Sequence, residues 1–264
     1  MAFFAKELRA RKFKMSRTIS ALVLREMSTT YGRSPGGYIW ALLEPVAAIA
    51  LLSVVFSLAL RSPGLGTSFP FFYASGFLPF MFYSNLAQKV SAAIAFSRPL
   101  LKYPSVTYID AILARFILAA MTHCVVFVIL ISAIVIIQDL QIFPRPIYIL
   151  NALLMAACLG LGIGTLNCFL IPVSPTWAHV WKVLNAPLFL MSGVIFMIDR
   201  VPEPYDYYLT WNPVAHVVVE MRRGLFANYH ADFISPAYVY GISLVAFVLG
   251  LIFLNRYNRY ILNN

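Results

Sequence analysis

Long apolar runs separated by short polar gaps organise this chain. Six of them fall near Ala41–Leu60, from Phe71 into the nineties, Leu113–Ile137, Tyr148–Ile171, Val180–Ile198 and Ala237–Leu254. A helix crosses the hydrocarbon of a bilayer with roughly 20 apolar residues, so each run predicts a transmembrane span. Ser62-Pro63-Gly64, Pro144-Arg145-Pro146, and Pro172 with Pro175 punctuate them as turn signals. Two other segments are amphipathic. Ile19, Leu22, Val23, Met27 and Tyr31 share one helical face while Arg17, Arg25 and Glu26 are polar, which predicts a helix along the inner-leaflet interface. Val214, Val217, Val218, Met221 and Leu225 keep helical spacing after Asn212 as cap and Pro213 as first residue. Asn212–Phe226 therefore reads as a short helix lying at, or dipping into, the outer leaflet, with Trp211 beside it; a helix in a water-exposed loop is the alternative. The expected fold is an all-α membrane protein: an N-terminal segment, 1–35, carrying the interfacial helix, then a six-helix transmembrane domain, 36–264. Extracytoplasmic re-entrant or gate helices are expected between spans five and six.

Composition strengthens this picture. Hydrophobic residues make up 61% of the 264 positions and charged residues 11%, where soluble domains carry about 25% charged residues. So little charge cannot cover a water-facing surface, and lipid must cover much of it. The net charge of +10 then points to flanks facing anionic lipid and not to nucleic acid. Its distribution sets orientation. Lys6, Arg9, Arg11, Lys12, Lys14, Arg17, Arg25 and Arg33 precede the first span, and Arg98, Lys102, Arg115, Lys182, Arg256 and Arg259 fall on the same side. Only Arg61, Arg145, Arg200, Arg222 and Arg223 face the other side, and Lys89 lies within span two. This asymmetry assigns both termini to the cytoplasm. No cleavable signal peptide is expected, because Met1–Arg33 lacks a long enough apolar core. Cys124, Cys158 and Cys168 lie within apolar runs without CxxC spacing and read as small core residues.

Catalytic patterns are missing from the sequence. It contains no GxxxxGK[ST] phosphate loop and no HExxH, and His123, His179, His216 and His230 are scattered. Gly160-Leu161-Gly162-Ile163-Gly164 lies mid-span with no following lysine, so Gly160 and Gly164 read as a GxxxG site of close helix packing. Lys89 is nearly alone as an intramembrane charge, whereas a proton-coupled carrier needs several. Glu44 is costly one turn inside span one unless it reaches the interface or a partner. The link Ser97–Arg115, with Arg98-Pro99, Lys102, Pro104 and Asp110, suits a small helix and turns facing a soluble partner, or a plain loop. Aromatic residues are abundant: Phe71, Phe72, Tyr73, Phe77, Phe80, Phe82 and Tyr83 in span two, and Tyr205, Tyr207, Tyr208 and Trp211 outside. They can stack on the apolar faces of sugar rings, or simply pack and meet lipid.

Particular residues carry a family resemblance. Val23-Leu24-Arg25-Glu26-Met27, then Tyr31-Gly32-Arg33 and Gly37-Tyr38-Ile39-Trp40-Ala41-Leu42-Leu43-Glu44-Pro45, resemble the N-terminal signature of ABC-2 type polysaccharide export permeases. Gly76-Phe77-Leu78-Pro79-Phe80, Ile109-Asp110 with Arg115, and Trp211-Asn212-Pro213 with His216 extend it nearly end to end. Within that family the chain is most similar to the capsule polysaccharide exporters of Gram-negative bacteria. Glu220 departs from the pattern, the family's acidic residue standing one position nearer the histidine. The resemblance implies an inner-membrane homodimer with two ATPase subunits, periplasmic and outer-membrane export components as further partners, and a channel for lipid-linked polysaccharide. ATP and Mg would be bound by the partner, with no cofactor, metal or catalytic residue in this chain. It implies ATPase coupling through Arg25, Glu26, Arg33, Arg98, Lys102 and Asp110. A path through spans one, two and five would draw on Tyr38, Trp40, Phe77, Phe80, Tyr83 and Lys89, with Trp211, His216, Arg222 and Arg223 at an outer gate. An exporter of O-antigen or teichoic acid shares the layout, and a polytopic glycosyltransferase is the rival from another class. The charge asymmetry yields a first prediction: alkaline phosphatase fused after Asn264 will be inactive and green fluorescent protein there will fluoresce, and the opposite pair of results would overturn the orientation.

Overall fold

The computed structural model describes residues 14–31, 37–101 and 106–263, all of whose regular elements are helical. Arg33 and Lys102 lie outside the described residues. Helix α1 (Lys14–Glu26) continues into a π-helical turn, Met27–Tyr31. The long helices are α2 (Gly37–Ala59), α3 (Phe69–Ser91), α5 (Tyr108–Ile137), α6 (Pro146–Val173) and α10 (Pro236–Asn263). The shorter ones are α4 (Ala93–Ser97), α7 (Pro175–Met191), α8 (Tyr205–Thr210) and α9 (Pro213–Leu225). Segments of α2, α5, α6 and α10 are long and apolar enough to cross a membrane: Ile39–Ala59, Tyr108–Ile137, Pro146–Val173 and Pro236–Tyr257.

Helix starts follow local chemistry. Ser68 caps α3 by accepting the Phe71 amide at 3.1 Å. Thr107 and Asp110 form a capping box for α5: the Asp110 amide donates to the Thr107 hydroxyl and the Thr107 amide to the Asp110 carboxylate. Prolines 146, 175 and 213 occupy first positions of α6, α7 and α9, where no amide partner is needed.

Helix α6 is central, packed between α3 and α10. Its glycines make this possible. A Cβ on Gly160 would meet Leu86 Cβ at 2.8 Å, and one on Gly164 would meet Val90 Cβ at 2.7 Å, both on α3. A Cβ on Gly162 would come within 2.3 Å of the Ser243 carbonyl oxygen on α10, and Gly250 of α10 answers against Leu166. The packing expected of Gly160 and Gly164 is thus present, and Gly162 serves the opposite face. Helix α3 is buried around most of its circumference, from Phe71 to Val90. Helix α7, in contrast, has no buried residue, and α2 leaves Leu51, Val54 and Leu58 bare.

Three expectations need correction. The run Val180–Ile198 is helical only to Met191: the chain reverses at Gly193, whose φ of 70° favours glycine, and 193–198 fold back over α3. Helix α4 ends at Ser97, where the link begins, residues 98–101 form turns, and Asp110 belongs to the first turn of α5. Helix α9 has the expected limits and cap but does not lie on a surface; it is enclosed by α3, α6 and α10, with Val214–Arg222 all buried. Its amphipathic pattern reflects small apolar contacts alternating with polar groups that find partners inside. Substituting Gly162 by Leu is expected to abolish accumulation of folded protein in membranes, whereas Gly241→Ala, with nothing within 4 Å of the added carbon, will accumulate normally. Fluorescence size-exclusion profiles check both.

Candidate functional site

Of the residues expected to couple to an ATPase, Glu26 is joined to the bundle, and Arg98 and Asp110 stand on separate turns. Helix α1 packs along α5, and Glu26 in its last turn is buried against Arg115, with Oε1 3.0 Å from Nε and both side chains 7% exposed. Arg115 Nη1 also donates to the Ala92 carbonyl at 3.1 Å, and its guanidinium carbon stands 4.4 Å from the centre of the Phe96 ring. Burial raises the Glu26 carboxyl above its ordinary pKa; Arg115, then Lys89 and Arg25, pull it back. Arg25 is half-buried, and its carbonyl accepts from the Ser28 and Thr29 hydroxyls at 2.7 and 3.0 Å, tying α1 to the π-helical turn. Arg98 is half-buried in the turn after α4, and Lys89 half-buried near the end of α3. Asp110 is consumed by its capping box and is buried.

The aromatic residues of α3 divide by direction. Phe77 and Phe80 are half-buried and meet Phe189 of α7 edge-on, with centroids 6.1 and 5.1 Å apart. Tyr83 is fully buried behind Phe80, their rings 6.4 Å apart. Trp40 on α2 is exposed, as are Tyr205, Tyr207, Tyr208 and Trp211, the last edge-on to Tyr207 at 6.0 Å. The side chain of Tyr38 lies outside the described residues. On α7, Trp177 donates its indole N–H to Asn167 Oδ1 of α6 at 2.9 Å.

Around α9 the polar groups are turned inward. Asn212 accepts the Val214 amide at 3.0 Å and donates to the Ser192 hydroxyl at 3.0 Å, joining α9 to the end of α7. His216 Nε2 stands 2.8 Å from the Thr210 carbonyl while Nδ1 accepts the Ser235 amide at 3.2 Å. That pair of partners fits a neutral ring carrying its hydrogen on Nε2. Burial pulls the imidazole below its usual pKa, opposed by the Thr210 carbonyl. Arg222 is 0% exposed: Nη1 donates to the Phe196 carbonyl at 3.1 Å and Nη2 to that of Val194 at 2.9 Å, and the guanidinium lies over Phe72 at 4.4 Å. Gly76 leaves the room, since a Cβ there would meet Nη2 at 3.0 Å. Burial lowers Arg222 to about 10, partly restored by Tyr229 and Asp199, so it stays charged at neutral pH; the Tyr229 hydroxyl donates to Asp199 at 2.5 Å nearby. Arg223 is half-buried, 4.3 Å over the Tyr148 ring and 3.8 Å from Glu220. Glu220 is buried and accepts from Asn151 at 2.7 Å, and Asn151 accepts from the Tyr240 hydroxyl at 2.9 Å.

The structure therefore brings Glu26 together with a partner on α5, Phe77 and Phe80 together with Phe189, and leaves Trp211 on the outside. It places His216 and Arg222 inside, their hydrogen bonds made to the chain itself. Phe189, Asn151, Tyr148, Tyr240 and the Asp199–Tyr229 pair escaped sequence reasoning. Nothing local marks them: Tyr240 and Asn151, for example, stand 89 positions apart.

Known proteins share this arrangement of sequence. The ABC-2 type transporter family matches residues 17–226. The polysialic acid transport protein KpsM of Escherichia coli is 30% identical over 237 residues, covering 89% of this chain and 91% of its own. The capsule polysaccharide export inner-membrane protein CtrC of Neisseria meningitidis serogroup A is 26% identical over 243 residues, 92% of each chain. The O-antigen export system permease protein RfbA of Klebsiella pneumoniae is 19% identical over 242 residues, 88% of each. Matched through both the α1–α5 ledge and the buried α9, the chain belongs to the ABC-2 type transporter family.

Proposed function

We propose that this chain is the membrane-spanning permease subunit of an ATP-driven exporter that moves lipid-linked capsular polysaccharide across the bacterial inner membrane. The observation carrying this reading is likeness along nearly the whole length to proteins named for polysialic acid transport and capsule polysaccharide export. In this reading α2, α3, α5, α6, α7 and α10 span the bilayer, α9 is the outer re-entrant gate, and both termini are cytoplasmic. Helix α7, at 17 residues, extends about 26 Å, close to the ~30 Å hydrocarbon thickness.

Two copies act with two ATPase subunits that bind ATP and Mg, and periplasmic and outer-membrane components receive the polymer. Helix α7, none of whose residues is fully buried, and the bare side of α2 supply apolar surface for the second copy and for lipid. Phe77, Phe80 and Phe189 provide C–H-stacking surface for sugar rings at the α3–α7 seam, with Tyr83 behind them; Trp40 and Tyr38 flank the inner side and Trp211 the outer. Lys89 and Arg223 remain half-buried and are the cations better disposed to meet an acidic sugar or lipid phosphate; His216 and Arg222 act by holding the gate in shape. Coupling to the ATPase runs through Arg25, Glu26, Arg33, Arg98 and Lys102, with Asp110 shaping the start of α5. The match to an O-antigen permease favours a second reading, export of O-antigen by the same machinery.

Deletion of the chain is expected to leave lipid-linked polymer inside the cell and none on its surface, and the affinity-tagged chain will bring down a P-loop ATPase. Chemical analysis of the trapped polymer separates capsule from O-antigen. Normal surface polymer in the deletion strain, with no ATPase in the eluate, would sink the proposal.

A further inference from the structure

Glu26 and Arg115 are 89 positions apart, yet they make the closest charged contact between α1 and the rest of the described chain. The contact continues. Ala92 sits at the break between α3 and α4, with φ −89° and ψ 6°, and its carbonyl accepts the Phe96 amide at 3.0 Å as well as Arg115 Nη1. Phe96 of α4 lies under the same guanidinium. One side chain therefore holds the last turn of α1, the hinge carbonyl and the ring of α4. Arginine suits this because its planar fork presents donors in two directions and its face stacks; a lysine ammonium has three donors but gathers them on one compact nitrogen and lacks the planar face. Burial makes the arrangement selective, since removing either charge strands the other out of water.

We propose that Arg115 is a positioning residue that locks α1 to the α3–α4 hinge, so that the interfacial helix and the cytoplasmic link move as one lever. The inference rests on the preceding reading, in which both elements face an ATPase. Force applied to α1 then reaches the base of α3 through Arg115 without passing along α2. Ion pairing sets the angle between the two elements, and the Ala92 bond sets where α4 departs from α3.

Spin labels at Ser20 and Ala95, both exposed, test this in a cysteine-free chain diluted with unlabelled copies and reconstituted with its ATPase. The wild-type distance distribution is expected to be narrow and unchanged between nucleotide-free and vanadate-trapped states. Arg115→Gln and Arg115→Lys will broaden it. Loss of the planar hold in Arg115→Lys should lower polymer exported per ATP hydrolysed by about tenfold, with assembly and ATP turnover within about twofold of wild type. Arg115→Lys keeps the charge and so tests the idea should Arg115→Gln fail to fold. A wild-type distance that changes on trapping, or a narrow distribution in Arg115→Lys with export intact, overturns the lever. Equal loss of assembly, turnover and export overturns it too, by making Arg115 a structural clamp alone. If no ATPase can be assembled, the functional reading fails, while the distributions measured on the chain alone still decide whether Arg115 fixes α1 to α4.

Discussion

Close approach of α6 to α3 and α10 is the contact on which the rest of this molecule depends. Lipid tails are as apolar as leucine, so helices in a bilayer gain little from hiding apolar side chains from one another. What holds them is contact at short range. Glycines 160, 162 and 164 let the α6 backbone reach Leu86 and Val90 on one side and Ser243 on the other. Within that frame α3 is buried around most of its surface, α9 has a closed slot to occupy, and the aromatic seam with α7 acquires a fixed wall.

Polar groups are then used sparingly and in pairs or chains. A polar side chain without a partner inside an apolar interior costs about 1–3 kcal/mol by mutational measure, so their placement is informative. Glu220, Asn151 and Tyr240 link α9 to α6 and α10. Asn212 links it to α7 through Ser192, and Arg222 to the reversal after α7. Helix α9 is thereby pinned at several points along its length to helices that lie apart in sequence. Arg222 shows how such a group is accommodated: its charge is met by two carbonyls and an aromatic face in place of a carboxylate, with Gly76 vacating the space. A residue so placed defines shape and is poorly available to a passing polymer.

The end of the molecule that carries α1 is held differently. Helix α1 is joined to the bundle chiefly along α5, and its polar anchor is a charge pair extended through a guanidinium to a hinge. The π-helical turn that follows Glu26 departs from regular geometry where α1 meets α2, and such turns often mark functional sites. The two regions are thus held by different means, backbone approach around α6 and a buried charge pair between α1 and α5.

Much of this was legible in the sequence, for reasons that can be named. Apolar runs identify helices because lipid demands continuous stretches, and Asn212-Pro213 marks a helix start because capping is a matter of three or four neighbouring residues. GxxxG announced close packing because side-chain absence is a local fact. Tertiary structure decided the rest. Amphipathicity in Asn212–Phe226 looked like a helix at an interface, and only its neighbours show that both faces are enclosed. The end of α7 was set by Gly193 and the groups that receive residues 193–198. His216 and Arg222 are basic residues that could have faced a substrate, and hydrogen bonds to Thr210, Ser235, Val194 and Phe196 turned them inward. Glu26 needed a counter-charge, a requirement any buried carboxylate announces, but its partner stands on another helix. Pairing across such distances is fixed by packing, which a linear pattern of apolar and polar residues constrains without specifying.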